Sequence, residues 1–336
     1  MAYGTVNADV IGTSVAGSNL GAGNASLMKN RIINGAMVID QRNAGASVTP
    51  TASTYTLDRW QYQQSVSSKF SIQQNAGSVT PPVGFSNYLG ATSLSAYSAL
   101  VGDFFVIGQY VEGFNTADLA WGTANAKTVT LSFQVYSSLT GTFGGSIRNF
   151  AANRSYPFTY SIPVANTWTS ISVTIAGDTT GTWVGATNGT GLEVFFGMGV
   201  GSTYSGTAGS WASANYISAT GATSVVGTSG ATFYITGVQL EVGSSATGFE
   251  YRQYQQELAL CQRYYEPQLT RNVTANTGLT VYCFWQFMVQ KRAIPTIGVG
   301  GGSAWTTVDS NGLSGLLVYI TSGNAVIQNC TASSEL

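Results

Sequence analysis

Apolar and polar residues alternate with a period of two through much of this 336-residue chain. In the clearest stretch, 127–136, the residues Val129, Leu131, Phe133 and Val135 alternate with threonine, serine and glutamine. Successive side chains of a β-strand point to opposite faces, whereas an amphipathic helix needs apolar residues three and four positions apart. The pattern therefore predicts strands that are buried on one face.

Related signals recur further along the chain. An alternating strand is predicted around 171–175, and the denser apolar run 192–200 predicts a strand that is buried on both faces. At Gly237 the alternation shifts by one residue, which predicts a β-bulge. Short strands separated by glycine, asparagine and aspartate turns are typical of sandwiches. The sequence therefore predicts an all-β fold built as an antiparallel two-sheet sandwich.

Charged residues are scarce and balanced. The 13 basic and 14 acidic residues make up 8% of the chain, where about 25% is usual. So few charges give no surface for tracking phosphates, and no nucleic acid partner is expected. The absence of histidine excludes Ser-His-Asp and Cys-His nucleophiles, a histidine-bound zinc and a histidine pH switch. A glycine-rich β protein with so little solubilising charge is typical of a component of a larger assembly.

The cysteines and the N-terminal composition limit the chain further. Cys261, Cys283 and Cys330 are widely spaced and form no CxxC motif, so they are predicted to be buried thiols rather than a metal site or a disulfide framework. No metal and no cofactor are expected. The first basic residue is Lys29 and no apolar run approaches about 18 residues, so neither a secretory signal nor membrane insertion is predicted. The chain is expected to be made as a soluble cytosolic protein.

Composition divides the chain into four segments. Segment 1–28 carries a single charge, Asp9, and has too few apolar residues for a core; it is predicted to be an extended N-terminal arm that docks on a partner, with a disordered tail as the alternative. Residues 29–249 are assigned to the sandwich, 250–266 to a linking helix and 267–336 to a small C-terminal β domain. Because a unit of that size has a marginal core, it should pack on another part of the protein or on copies of itself.

The helix prediction depends on a glycine-free stretch that ends before Pro267. Apolar residues recur within it at spacings of three and four, as in a short heptad seam. This stripe either packs on the sandwich of its own chain or forms a seam between chains of an oligomer. Its members are Tyr251, Tyr254, Leu258, Cys261 and Tyr265.

Several segments, taken in order, resemble tail-fibre and related structural proteins of bacteriophages that carry a carbohydrate-binding-like jelly roll. They are NRIINGAMVIDQR (30–42), LDRW (57–60), NTWTSISVTIAGDTTGTW (166–183), ITGVQLEVG (235–243), ATGFEYRQYQQELALCQRYYE (246–266), RAIPT (292–296) and the terminal TASSEL. The family pattern has proline where this chain has Gly248, so the start of the helix loses a fixed φ angle. No ligand residues are general to the family, and none are carried over.

The resemblance implies a jelly-roll sandwich in a virion protein that is assembled in the bacterial host cytoplasm and acts outside it, often as a homotrimer. This agrees with the missing signal peptide, the docking arm and the low charge. Two kinds of partner are expected: other tail or capsid proteins, contacted through residues 1–28, which lie outside the resemblance, and a glycan on the host surface.

Without histidine, the enzymatic alternative is a carboxylate pair that cleaves a glycosidic bond. The candidate acids are Asp103, Glu112, Asp118, Asp178 and Glu193. A structural role is predicted for each: Asp178 in a turn, where aspartate accepts backbone N–H bonds, and Glu193 facing solvent from a strand. A calcium site on Asp178 or Glu193 is disfavoured because no acidic cluster surrounds them. The sequence Asp58-Arg59-Trp60 is predicted to hold a buried ion pair that helps to specify the fold.

Sugar recognition needs an exposed aromatic ring together with amide or carboxylate groups for the hydroxyls. The aromatic residues hardest to assign to the core lie in loops of small polar residues, and each could equally be a core edge or a subunit contact. These candidates are Tyr204, Trp211, Tyr216 and Trp305.

The function predicted from sequence is that of a non-enzymatic virion protein, a tail fibre or receptor-binding protein that attaches to host surface glycan. The first alternative is a capsid-decorating or head-fibre protein of the same fold. The second is a polysaccharide depolymerase that uses a carboxylate pair. Binding is favoured over cleavage because a chain with only 14 acids is a poor source of a correctly spaced pair.

Overall fold

The computed structural model describes residues 29–267, 271–275, 281–298, 307–320, 323–327 and 330–336. The strands of the first part are, in chain order, β1 (Thr54–Leu57), β2 (Trp60–Gln64), β3 (Phe70–Gln74), β4 (Leu89–Ser93), β5 (Phe104–Glu112), β6 (Val129–Ser137), β7 (Gly141–Arg148), β8 (Ser155–Ile162), β9 (Thr169–Ile175), β10 (Thr190–Val200), β11 (Ser205–Gly206), β12 (Ser218–Ala219) and β13 (Thr232–Val242). Single 3-10 turns occur at Ala76–Ser78, Gly113–Asn115, Ala117–Leu119 and Ser202–Tyr204.

Two antiparallel sheets face each other. The six-stranded sheet has the order β1-β2-β5-β10-β7-β8, and the five-stranded sheet has the order β3-β4-β13-β6-β9. The chain crosses repeatedly from one sheet to the other, which gives the predicted jelly-roll sandwich. Alternate residues of both sheets point inward and form one apolar core, in which Phe133 of β6 contacts Phe196 of β10 at a ring distance of 5.0 Å.

The predicted bulge at Gly237 is confirmed. The pairing of β13 with β6 shifts register between Thr236 and Gln239, and Gly237 has a φ of 61°. This left-handed conformation is accessible to glycine at little cost. A Cβ at Gly237 would lie 2.6 Å from the ring of Phe85, so the position also needs the absence of a side chain.

The segment that precedes β1 is tied to the sandwich by buried amide side chains. Asn30 bonds to both the carbonyl of Val238 and the N–H of Leu240, and Gln109 bonds to both the N–H and the carbonyl of Ile33. Asn34 is fully buried and bonds to the backbone of residues 39 and 58. Because this segment belongs to no strand and its backbone pairs with strands at isolated points, such as Val48 with Ile72, side chains satisfy many backbone groups that a β-ladder would otherwise satisfy.

The α-helix of the described residues, α1 (Tyr254–Gln262), is shorter than the predicted 250–266. Residues 250–253 are not helical because Glu250 accepts the N–H of Asn30 while Arg252 donates to the carbonyls of Asn30 and Ile32. At the other end the chain enters a strand at Tyr265. The helix is therefore limited at both ends by tertiary hydrogen bonds that local propensity does not reveal.

The shorter helix divides the predicted seam. Leu258 and Cys261 pack towards their own chain, against Ile33, Ile39 and Tyr264. Of the three seam tyrosines, Tyr254 is exposed on the helix, Tyr251 precedes it and contacts Phe85 and Phe249, and Tyr265 follows it beneath the Arg42 guanidinium at 3.8 Å. The five residues do not form one continuous stripe.

The described residues of the C-terminal part form three small antiparallel sheets. Its strands are β14 (Tyr265–Pro267), β15 (Arg271–Ala275), β16 (Val281–Gln286), β17 (Thr296–Gly298), β18 (Thr307–Asn311), β19 (Gly315–Ile320), β20 (Gly323–Ile327) and β21 (Thr331–Ser333). The sheet orders are β14-β21-β17, β15-β20 and β16-β19-β18. The described residues include no helix with the length and hydropathy of a membrane span. The arm 1–28 lies outside the described residues.

Charged residues join the C-terminal part to the sandwich. Asp58, Arg59 and Trp60 are all buried, as predicted, but the predicted pairing of the first two is wrong. Arg59 instead pairs with Glu335, stacks on the ring of Tyr264 at 3.6 Å and donates to the carbonyl of Tyr110. Asp58 accepts two bonds from Gln41, and its burial raises its pKa to about 6.

The cysteines follow the prediction where the structure describes them. Cys261 is a free and fully buried thiol, and burial raises its pKa. Cys330 is also buried. The side chain of Cys283 lies outside the described part of the chain.

Candidate functional site

Polar side chains cluster on the outer face of the six-stranded sheet, away from the core. Tyr110, Glu193 and Arg148 lie side by side in one row across β5, β10 and β7. Gln61 and Gln63 lie beside this row on strand β2, and Gln61 pairs with Gly108 of β5. Side chains of directly opposed residues share a face, so the sheet register itself brings these five together.

Hydrogen bonds join the five side chains and Asn215 in two groups, one around Arg148 and one around Gln63. Arg148 Nε donates to Glu193 Oε2 at 2.6 Å, and Arg148 Nη1 donates to Asn215 Oδ1. Gln63 Nε2 donates to both Gln61 Oε1 and the Tyr110 hydroxyl, at 2.7 Å each. We call these six residues the polar cluster: Gln61, Gln63, Tyr110, Arg148, Glu193 and Asn215.

An aromatic floor lies beneath the polar cluster. The ring of Phe195 is in edge contact with Tyr110, and the Arg148 guanidinium lies 5.0 Å above it. Phe195 also leans over Gly108, where a Cβ would come within 2.5 Å of its ring. Glycine at 108 therefore allows the floor and the flanking glutamines to approach each other closely.

Within the polar cluster, some hydrogen-bond donors and some acceptors are not used by other described residues. Within the described part of the chain, Arg148 Nη2 and the amide nitrogens of Gln61 and Asn215 have no acceptor. Glu193 Oε1 and Gln63 Oε1 likewise accept no bond. All members except Glu193 are partly exposed, so water or a ligand can reach these groups.

The surroundings raise the pKa of two members of the polar cluster, Glu193 and Tyr110. Glu193 is 1% exposed, and its burial raises its pKa to about 7, although Arg148 opposes this shift. Burial and the neighbouring Glu193 raise the pKa of Tyr110 to about 12. The prediction that Glu193 faces solvent is wrong: its side chain lies on the outer face of the sheet, but it is buried and pairs with Arg148.

Two of the four predicted glycan-binding residues lie in the loop that crosses this sheet face. Tyr204 packs edge-on against Phe104 at 5.5 Å and joins a small apolar cluster with Val106, Phe195 and Ile217. Tyr216 lies against Gly206, where a Cβ would meet its ring at 2.2 Å. Both are half-buried, and Tyr216 directly follows Asn215 of the polar cluster.

Trp211 belongs to a different environment. Its ring contacts Trp121, Trp183 and Tyr156 at 5.3 to 5.5 Å, and its indole N–H donates to the carbonyl of Ala176. The N–H groups of the other two tryptophans also bond within the chain, to Lys127 and to Asp178 and Thr180. Trp121 and Trp183 line a cleft of about 50 Å³, far below the roughly 300 Å³ of common ligand pockets. The contacts among these tryptophans mainly hold loops in place. The fourth predicted glycan-binding residue, Trp305, lies outside the described residues.

Each of the five candidate acids has a partner in the fold. Arg263 and Tyr264 bond to Glu112, and Arg31 pairs with the half-exposed Asp118. Asp103 and Asp178 accept bonds from neighbouring turn residues, as predicted for the latter, and Arg154 also pairs with Asp178. The described residues contain no group of three cysteines or carboxylates placed to hold a metal ion.

Sequence reasoning did not find most of the polar cluster. The available signal was an acid inside the densest apolar run, 192–200, together with an arginine at the end of another strand. A charge retained among buried residues indicates a partner or a function. The glutamines gave no such signal, because glutamine is common on exposed strands.

Comparisons with known proteins give similarity at the level of solved structures. No protein-family model matches the chain, and no curated protein does. The enzymatically active domain of tailspike protein 4 of bacteriophage CBA120 aligns with a TM-score of 0.34 and 14% identity, over 64% of this chain and 22% of that chain. A carbohydrate-binding module described as CBM4 aligns with a TM-score of 0.31 and 13% identity, over 62% of this chain and 98% of that one.

A third similar structure is the family 11 carbohydrate-binding module of Clostridium thermocellum, in complex with a β-1,3-1,4-mixed-linked tetrasaccharide. It aligns with a TM-score of 0.29 and 8% identity, over 60% of this chain and 99% of that chain. No residue role is transferred from any of these proteins.

Proposed function

We propose that the protein binds a carbohydrate on the outer face of the six-stranded sheet, through the polar cluster. The observation that carries the proposal is the set of unused donors and acceptors on one sheet face. Sugar hydroxyls both donate and accept hydrogen bonds, so they suit a site that offers guanidinium and amide N–H groups beside carboxylate and amide oxygens. The partly exposed ring of Tyr110 adds apolar surface for a sugar ring.

The shape of the site favours an extended ligand. The cluster spans four adjacent strands, β2, β5, β10 and β7, and its members other than Glu193 are partly exposed on the sheet face. A polysaccharide lying across the strands can meet the cluster in successive contacts, each of them weak. Several copies of such a site on one particle would convert weak single contacts into stable attachment.

Binding without cleavage is the reaction class that we propose. Hydrolysis by a carboxylate pair needs two carboxyl groups roughly 5 to 9.5 Å apart. The polar cluster contains a single carboxylate, Glu193, and that group is paired with Arg148. The other candidate acids are engaged with their own partners in the fold.

We further propose that the protein is a bacteriophage virion component, a tail fibre or receptor-binding protein that attaches to host surface glycan, assembled as a homotrimer. The resemblance of its ordered segments to such proteins, its low charge and the single charge of its N-terminal segment 1–28 support this role. Residues 1–28 would contact other tail or capsid proteins. A capsid-decorating protein is the alternative, and imaging intact particles with labelled protein distinguishes the two positions.

Retention on immobilised polysaccharides tests the binding role. We expect the wild-type protein to be retained by at least one oligosaccharide in a panel of gluco-, galacto-, manno- and xylo-configured chains, without release of reducing ends. Gln63→Ala and Asn215→Ala should each weaken binding about 2- to 10-fold, the usual effect of one lost hydrogen bond. Gln134→Ala is the matched control, because Gln134 is a half-buried glutamine on the other sheet, bonded to Ser170.

Two results would contradict the proposal. Equal loss of binding in Gln134→Ala and Gln63→Ala would place the site elsewhere. Release of reducing ends that disappears in Glu193→Gln would make the protein a depolymerase.

A further inference from the structure

We propose that Glu193 makes the polar cluster selective for neutral sugars and excludes sugars that carry a carboxylate. This inference rests on the proposed glycan binding and adds the chemical class of the ligand. It concerns one charge on the sheet face and what that charge does to an approaching anion.

The charges of the cluster cancel within the cluster itself. Arg148 is its one cation and Glu193 its one anion, and they are joined at 2.6 Å. Two of the three guanidinium nitrogens are already used, Nε by Glu193 and Nη1 by Asn215. An anionic sugar therefore meets a guanidinium whose charge is already balanced by the carboxylate directly beside it.

Glu193 cannot move away from an approaching anion. It lies in the middle of β10, paired on one side with Tyr110 and on the other with Arg148. Its side chain is 2% exposed and is held under the guanidinium. In such a poorly solvated position, repulsion between like charges is screened much less than at an open surface. Exclusion of the wrong ligand by a fixed like charge is a common source of specificity.

A neutral sugar has no such penalty. Its hydroxyls can donate to Gln63 Oε1, and they can accept from Arg148 Nη2 and the amide of Gln61. The ion pair then stays intact when the ligand binds, so no charge is left without a partner.

The selectivity should depend on pH, because burial raises the pKa of Glu193 to about 7. The titratable groups that face it are Arg148 from β7, which favours its charged form, and Tyr110 from β5, whose own pKa is raised to about 12 and which stays neutral. Asn215 from the crossing loop is uncharged. Below pH 7 Glu193 takes up a proton and becomes neutral. The positive charge of Arg148 is then no longer balanced, so the site no longer repels a carboxylate.

The test compares matched oligosaccharides that differ only in a carboxylate, such as galactose and galacturonate oligomers of equal length, with a glucose and glucuronate pair beside them. At pH 8.5 the wild-type protein should bind the neutral member at least tenfold more tightly, measured by calorimetry or biosensor. At pH 5.5, where the uronates are still ionised, that ratio should fall several-fold. Glu193→Gln should show the low ratio at both pH values.

Glu241→Gln is the control, since Glu241 is an equally buried glutamate of the other sheet, bonded to Gln239 and Thr247. Its ratio should match that of the wild type. If Glu193→Gln does not fold, the wild-type pH series alone tests the same point. A wild-type protein that binds the uronate equally well or better at pH 8.5 would overturn the inference and leave glycan binding intact. Failure to bind both members of every pair would overturn the proposed function instead.

Discussion

Gly237 combines two demands that no other residue type meets. Its left-handed φ of 61° creates the bulge in β13, and the missing side chain leaves room for the Phe85 ring. That ring in turn contacts Phe249 and Tyr251, just before the helix. One glycine therefore shapes a central strand and seats the aromatic contacts that lead into α1.

Gly237→Ala should lower the free energy of unfolding by about 2 kcal/mol or more, because alanine is strained at this φ and its Cβ would clash with Phe85. Chemical denaturation measures the change. Gly102→Ala is the control: Gly102 is exposed, has no contact within 4 Å of an added Cβ, and should change stability by less than about 0.5 kcal/mol. Equal effects of the two substitutions would show that the bulge does not require glycine.

At the scale of elements, the last strand and the tail after it join the C-terminal part to the sandwich. Strand β21 pairs with β14 and β17, and Glu335 just beyond it pairs with Arg42 and the buried Arg59. Arg292 donates to the carbonyls of Ser334 and Glu335. We call this set the tail clasp: Arg42, Arg59, Arg292, Ser334 and Glu335.

Glu335→Gln should destabilise the protein by about 3 kcal/mol, since it leaves the buried Arg59 guanidinium without its carboxylate partner. Thermal or urea unfolding measures the loss. Asp118→Asn removes an ion pair to Arg31 in which the carboxylate is 46% exposed, and it should cost less than about 1 kcal/mol. A Glu335 variant as stable as the Asp118 variant would contradict a structural role for the clasp.

The sequence predicted elements better than their ends. Strands and the Gly237 bulge could be predicted because a period of two is a local property of the chain. The helix was drawn too long because Arg252 and its neighbours bond to residues near position 30, far away in sequence. Arg59 was paired with its sequence neighbour for the same reason, since its true partner lies near the other end of the chain.

The candidate site is even harder to predict from local sequence than the ends of the elements. Its members come from four strands and a loop, and only the sheet order β2-β5-β10-β7 brings them together. That order depends on long-range pairing, which alternation along one strand does not encode. Trp211 was chosen for the small polar residues around it, yet the structure places it among Trp121 and Trp183.

At the scale of the whole molecule, several apolar side chains of the C-terminal part are exposed. Phe284, Met288 and Ile294 are each more than half exposed in the single chain. Large exposed apolar surface often marks a contact with another protein, and closed symmetric assemblies are the usual way for identical chains to cover it.

If the proposed homotrimer uses this surface, light scattering of the full chain at micromolar concentration should give about three times the 35.1 kDa chain mass. Replacing Phe284 and Met288 together with serine should shift the mass towards the monomer. Val83→Ser is the control, because Val83 is fully exposed on a sandwich loop and should leave the mass unchanged. A wild-type monomer would remove the trimer hypothesis.

The tail clasp also has a consequence for synthesis. Arg59 and Glu335 are separated by 276 residues, so the arginine leaves the ribosome long before its partner exists. At about 5 to 20 residues per second, that interval is on the order of 10 to 60 s. During this time the Arg59 guanidinium, at the corner between β1 and β2, cannot pair with the Glu335 carboxylate. The contact between this corner of the sandwich and the C-terminal tail therefore forms only after most of the chain has been translated, and a chain interrupted before Glu335 leaves the Arg59 guanidinium without this partner.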